Sequence, residues 1–125
     1  MFYTAEEKSR MDYLVEVFGE YILENKTFDI VYSEKLGFLT IDIHKGEIEE
    51  VGQLKDYDAL LEELFFEISN DVRSLNMIGY HDDIDLFPEE IVEVRRRVVP
   101  ILNTMSQDRE YCLAALDHYL EHVND

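Results

Sequence analysis

The 125 residues carry 29 acidic and 11 basic side chains, a formal charge of −18, with 46% hydrophobic and 12% aromatic residues. This is the length of one domain, and it is too apolar for a disordered acidic tail. The charge excludes nucleic-acid binding by phosphate neutralisation and docking on an anionic membrane, since both need a basic footprint.

The first predicted element is a helix. Thr4, Ala5, Glu6 and Glu7 fit a capping box, in which the Thr4 hydroxyl and Glu7 carboxylate satisfy amides at the helix start. Met11, Leu14, Val15, Phe18 and Ile22 then recur at helical spacing through about Asn25. The period next changes to two. Phe28, Ile30 and Tyr32 alternate with Asp29, Val31 and Ser33, and Leu39, Ile41 and Ile43 alternate with Thr40, Asp42 and His44. Gly37 closes their hairpin loop, and Lys45-Gly46 turns the chain into a weak third strand from Glu47 to Val51.

Helical spacing returns after Asp56, which with Asp58 is a candidate cap. Tyr57, Leu61, Leu64, Phe65, Ile68, Val72 and Leu75 form its stripe, and Phe66 falls off it. A loop from Asn76 to Asp85 follows. Pro88 opens a third helix, with Glu89 and Glu90 at the positive end of its dipole. Ile91, Val94, Val98, Ile101, Leu102 and Met105 keep phase across Pro100, which predicts a kinked helix or two short ones. A last helix starts at Thr104 or Ser106 and runs to about His122, with Leu113, Leu116, Leu120 and Val123 as its core face.

The expected class is therefore α+β. An N-terminal helix and a small antiparallel sheet of two or three strands precede three to four helices packed on one sheet face. Residues 1–125 make a single compact domain in this reading. One cysteine, Cys112, forms no internal disulfide and fits the edge of the last apolar face as an inert buried thiol. No basic region and apolar run open the chain, and no apolar stretch approaches a membrane span, so a cytoplasmic protein is expected.

The acidity is organised. Between Asp56 and Val94 twelve acids face one base, Arg73. Asp12, Glu16, Glu20 and Glu24 stand at four-residue intervals along the first helix, and Glu63, Glu67 and Asp71 form a second row. Like charges at this spacing each cost about 0.2–0.5 kcal/mol, small enough to be tolerated as a solvated face. Such rows also suit a basic protein partner. Mimicry of nucleic acid is a further possibility, although a helical row spaces charges by about 6 Å and one DNA strand by about 3.4 Å. Arg95, Arg96 and Arg97 fan out by about 100° per residue and so are expected to pair with neighbouring glutamates rather than form one patch, an exposed arginine pair that anchors a dimer being the alternative.

Two clusters carry metal-ligand residue types. His118 and His122 share one helical face, in the letter pattern H-x-x-E-H of certain zinc proteases. The pattern lacks the downstream ligand those enzymes use. His81, Asp82 and Asp83 sit in a loop with neither the glycine nor the distant glutamate of a calcium site. No glycine-rich phosphate loop, G-x-S-x-G elbow or C-x-x-C is present.

These features predict a non-enzymatic protein-interaction or regulatory module with an acidic surface and no cofactor. Its partner is a protein, either basic or a second copy of the chain. Two alternatives use the same residues. One is an acidic inhibitor that mimics nucleic acid or neutralises a basic toxin or enzyme. The other is a small metal-dependent enzyme built on His81, Asp82 and Asp83 with His118 and His122.

Overall fold

The computed structural model describes residues 4–25, 28–33, 37–42, 47–54, 56–76 and 86–124, with side chains for 4–22, 30–32, 56–73 and 86–124. The chain divides into two compact units, Met1–Leu61 and Glu62–Asp125.

In the first unit, helix α1 (Ala5–Asn25) starts where the sequence predicts. The Thr4 hydroxyl accepts a 3.1 Å hydrogen bond from the Glu7 amide, and the Lys8 amide reaches the Thr4 carbonyl. Met11, Leu14 and Phe18 are fully buried and Ile22 nearly so, which makes the apolar stripe a packing face. Three short segments then pair antiparallel in chain order: β1 (Phe28–Ser33), β2 (Gly37–Asp42) and β3 (Glu47–Leu54). The first pair runs in register from Phe28 opposite Asp42 to Ser33 opposite Gly37, so Gly37 belongs to the ladder and not to the loop. Register shifts interrupt the pairing of β2 with β3. Lys8 lies over the Tyr32 ring, 4.5 Å from its centre, where α1 meets β1.

The α+β reading needs correcting here. The protein is mostly helical: 81% of the residues whose side chains are described lie in helices, and residues 30–32 are the one strand stretch among them. The period-two alternation favours extended backbone and local pairing, but it does not make a strand face into the platform of a core. Of that stretch only Ile30 is buried, while Val31 and Tyr32 are half-buried. The helices supply almost all of the described core. A fully buried leucine or phenylalanine contributes about 1.5–3 kcal/mol, so stability follows the helical stripes.

Helix α2 (Tyr57–Asn76) is capped by Asp56, whose carboxylate accepts a 2.8 Å bond from the Ala59 amide. Its first turn completes the first unit, where Arg10 stacks on the Tyr57 ring at 4.3 Å. The remainder joins α3 (Pro88–Leu102) and α4 (Arg109–His122) in the second unit. Leu64, Phe65, Ile68 and Val72 of α2, Val94, Val98 and Leu102 of α3, and Cys112, Leu116 and Leu120 of α4 form its apolar interior.

The third helix is one element, Pro88–Leu102, and is not continued to Met105. It ends two residues beyond Pro100, whose missing N–H removes one bond of the last turns. Turns then carry the chain to Asp108, and α4 begins at Arg109, later than the sequence suggests. Leu113 and Val123, expected in the core, are half-buried, and Cys112 takes the buried place instead. No helix among the described residues is long and apolar enough to cross a membrane.

Candidate functional site

The two carboxylate rows have different surroundings. On α1, Asp12, Glu16 and Glu20 are all exposed. Lys8 holds Asp12 at 2.7 Å, and that hydrogen bond raises the lysine above its ordinary pKa. Among the described residues, Glu16 and Glu20 have no ion-pair partner. The side chain of Glu24, the fourth member, lies outside the described residues.

The second row is drawn into the helical unit. Glu63, Glu67 and Asp71 are half-buried, and all three have partners within the fold. Asp71 accepts a 2.8 Å hydrogen bond from Arg97 of α3. This pair joins positions 26 residues apart, both largely shielded from water. The row is structural, at least at its C-terminal end.

The three arginines diverge as their helical phase requires. Arg95 pairs with Asp117 of α4 at 2.6 Å, Arg96 with Glu93 on its own helix, and Arg97 with Asp71. Glu93 also lies 3.7 Å from Arg97. The Arg96 guanidinium, then Arg97, holds the Glu93 carboxyl below the usual range. Two of the three arginines therefore tie neighbouring helices to α3.

His118 and His122 stand side by side on exposed α4, with ring centres 4.5 Å apart and planes tilted by 48°. Their other proposed metal partners, His81, Asp82 and Asp83, lie outside the described residues. Among the described residues, no group of three or more histidines, cysteines or carboxylates is gathered for a metal ion.

Several polar devices of the second unit escaped the sequence. Glu90 is 2% exposed, and its Oε1 accepts a 2.8 Å bond from the Phe87 amide. This is half of a capping box, because phenylalanine has no side-chain acceptor to return the contact. The other oxygen, Oε2, is buried and finds no hydrogen-bond partner among the described residues. The Asn124 carboxamide clasps Leu86, accepting from its amide at 2.7 Å and donating to its carbonyl at 2.9 Å. Ser69 is fully buried and donates to the Phe65 carbonyl at 2.8 Å; its Oγ also meets the Tyr119 hydroxyl at 3.0 Å. Burial raises the Tyr119 pKa, opposed by the Ser69 hydrogen bond and Arg73 and reinforced by Glu62 and Glu63. The Pro88-Glu89-Glu90 start was a legible signal for the first of these. The other two depend on partners 38 and 50 residues away.

Apolar side chains also reach the surface. Phe87 and Val92 are about two-thirds exposed, Tyr111 half and Phe66 somewhat less. The chain matches no protein family, no curated protein and no solved structure.

Proposed function

We propose that this chain is a non-enzymatic protein-binding module, and that the outer edge of α1 docks a basic segment of its partner. The observation that supports this reading is the α1 row. Asp12, Glu16 and Glu20 project from one exposed side of the helix, and Glu16 and Glu20 find no cation among the described residues. The acids at positions 63, 67 and 71, by contrast, already have partners inside the fold. Carboxylates such as Glu16 and Glu20, with no cation beside them among the described residues, gain most from cations brought by another molecule. Complementary charge also steers encounter and raises association rates.

The test is capture from lysate with the full chain and with the D12N/E16Q/E20Q variant, at low and high salt. A partner held by the full chain at low salt, released at high salt and lost by the variant supports the reading. A partner retained by the variant irrespective of salt overturns it. A second copy of the chain is the other candidate partner. Sedimentation of both forms detects it, and a dimer that survives in the variant places self-association elsewhere.

A further inference from the structure

We infer that His118 and His122 form a two-point chelate for a divalent transition ion, of the Zn²⁺, Ni²⁺ and Cu²⁺ class. The inference rests on the second unit alone and does not depend on what docks at α1. Residues four apart on a helix lie on the same face, nearly one above the other. Here the consequence is visible in the ring centres, 4.5 Å apart on a solvent-facing side of α4. Imidazole nitrogens bind zinc at about 2.0–2.1 Å, so two of them on one ion stand no more than about 4 Å apart. Two exposed imidazoles one helical turn apart are close to that separation with the backbone as it stands.

The surroundings decide the class of ion and the number of ligands. Asp117, next to His118, is paired with Arg95 at 2.6 Å. Among the described residues no third ligand is gathered with the pair, and the donors identified are nitrogens. Nitrogen donors of this kind suit zinc, nickel and copper, whereas magnesium and calcium require cages of oxygen. The remaining coordination positions stay open to water. The ligand form of imidazole is the neutral one, so protons compete with the ion. A formal charge of −18 further enriches divalent cations around the chain.

The experiment is calorimetric titration of the full chain with Ni²⁺ at neutral pH, repeated with Mg²⁺ and with His118→Ala, His122→Ala, His81→Ala and His44→Ala. Alanine is favourable in an exposed helix, and circular dichroism of each variant checks that it folds. The expected result is one ion per chain and no matching Mg²⁺ site. Losing either His118 or His122 should weaken binding on the order of 100-fold, as expected when the second contact is no longer intramolecular. The His81 and His44 variants should bind like the parent. Unchanged affinity in both α4 variants would overturn the inference, as would equal binding of Mg²⁺ or loss of binding in the His81 or His44 variant. No detectable binding to the parent chain would overturn it as well.

Discussion

Asp108 occupies the left-handed region of backbone space, at φ 57° and ψ 12°, immediately before α4. Its carbonyl accepts the first bond of that helix, from the Cys112 amide at 2.9 Å, so its conformation sets the direction in which α4 departs. Left-handed backbone costs most residues about 1–2 kcal/mol, with aspartate and asparagine among the tolerant ones and glycine free of the penalty. Asp108→Gly should therefore leave stability unchanged or raise it by up to about 1 kcal/mol, since glycine caps nearly as well. Asp108→Val should lower it by more than about 1 kcal/mol, because a branched side chain is strained at positive φ. Urea unfolding of both variants measures the contrast, and equal stability of the two would show that the left-handed turn is dispensable.

Tyr119 sets a pH dependence whose sign follows from its burial. Its folded pKa lies above the unfolded value of about 10. The unfolded chain therefore loses the proton first. The corresponding stability is complete below about pH 10 and disappears as pH rises through the folded value. Denaturant midpoints between pH 8 and 11 should fall less steeply for Tyr119→Phe than for the parent. At neutral pH the same substitution should cost about 0.5–1.5 kcal/mol, through loss of the contact with Ser69. Parallel alkaline profiles would remove Tyr119 as a source of the slope.

At the scale of the element, α1 is a helix built against its own charges. Asp12, Glu16 and Glu20 repel along one edge, and only the first has Lys8 beside it. Replacing Glu16 and Glu20 with glutamine should stabilise the free chain by roughly 0.5–1 kcal/mol, with a larger gain at low ionic strength. Thermal unfolding in two salt concentrations measures it. A loss of stability would mean that these carboxylates hold the fold together. This helix was also the most legible part of the sequence, because its patterns are local: the Thr4 cap, the buried Met11, Leu14, Phe18 and Ile22, and the exposed Asp12, Glu16 and Glu20 appear where their spacing puts them. The second row was legible as a pattern but not in its role. Whether Asp71 faces water or Arg97 is decided by how α2 packs on α3, and no spacing within α2 reveals that. The strands illustrate the same limit. Alternation placed β1 at Phe28–Ser33 and started β2 two residues late, at Leu39 instead of Gly37, and it did not reveal that the described core is helical. The end of α3 was misjudged for a related reason. The apolar phase of Ile101 and Leu102 is continued by the buried Met105 after the backbone has left the helix, so periodicity alone overran the boundary.

At the scale of the molecule, the charge of −18 is not one property. Part of it is consumed in joining the helices of the second unit, through Asp71 with Arg97 and Asp117 with Arg95. Another part lies along the outside of α1. The two parts should respond differently to salt: screening relieves the repulsive row and weakens the exposed Arg95–Asp117 pair, while the more shielded Arg97–Asp71 pair resists it. The histidine pair on α4, the chelate inferred above, is a third feature, and its juxtaposition is legible from the four-residue spacing alone.

The clasp of Asn124 on Leu86 gives this architecture a built-in clock. Leu86 precedes α3 and belongs to no helix, yet its amide is covered and bonded to a side chain beyond the end of α4. In deuterated water that amide should be exchanged slowly, unlike most amides outside regular structure. Its rate should report how often the end of α4 parts from the start of α3. Asn124→Ala should accelerate exchange at Leu86 at least about tenfold, corresponding to the roughly 1.4 kcal/mol expected of such a contact. Amides in the middle of α3 should keep their protection. If they accelerated equally, the clasp would be a hinge on which the whole second unit opens, and not a latch at one end of it.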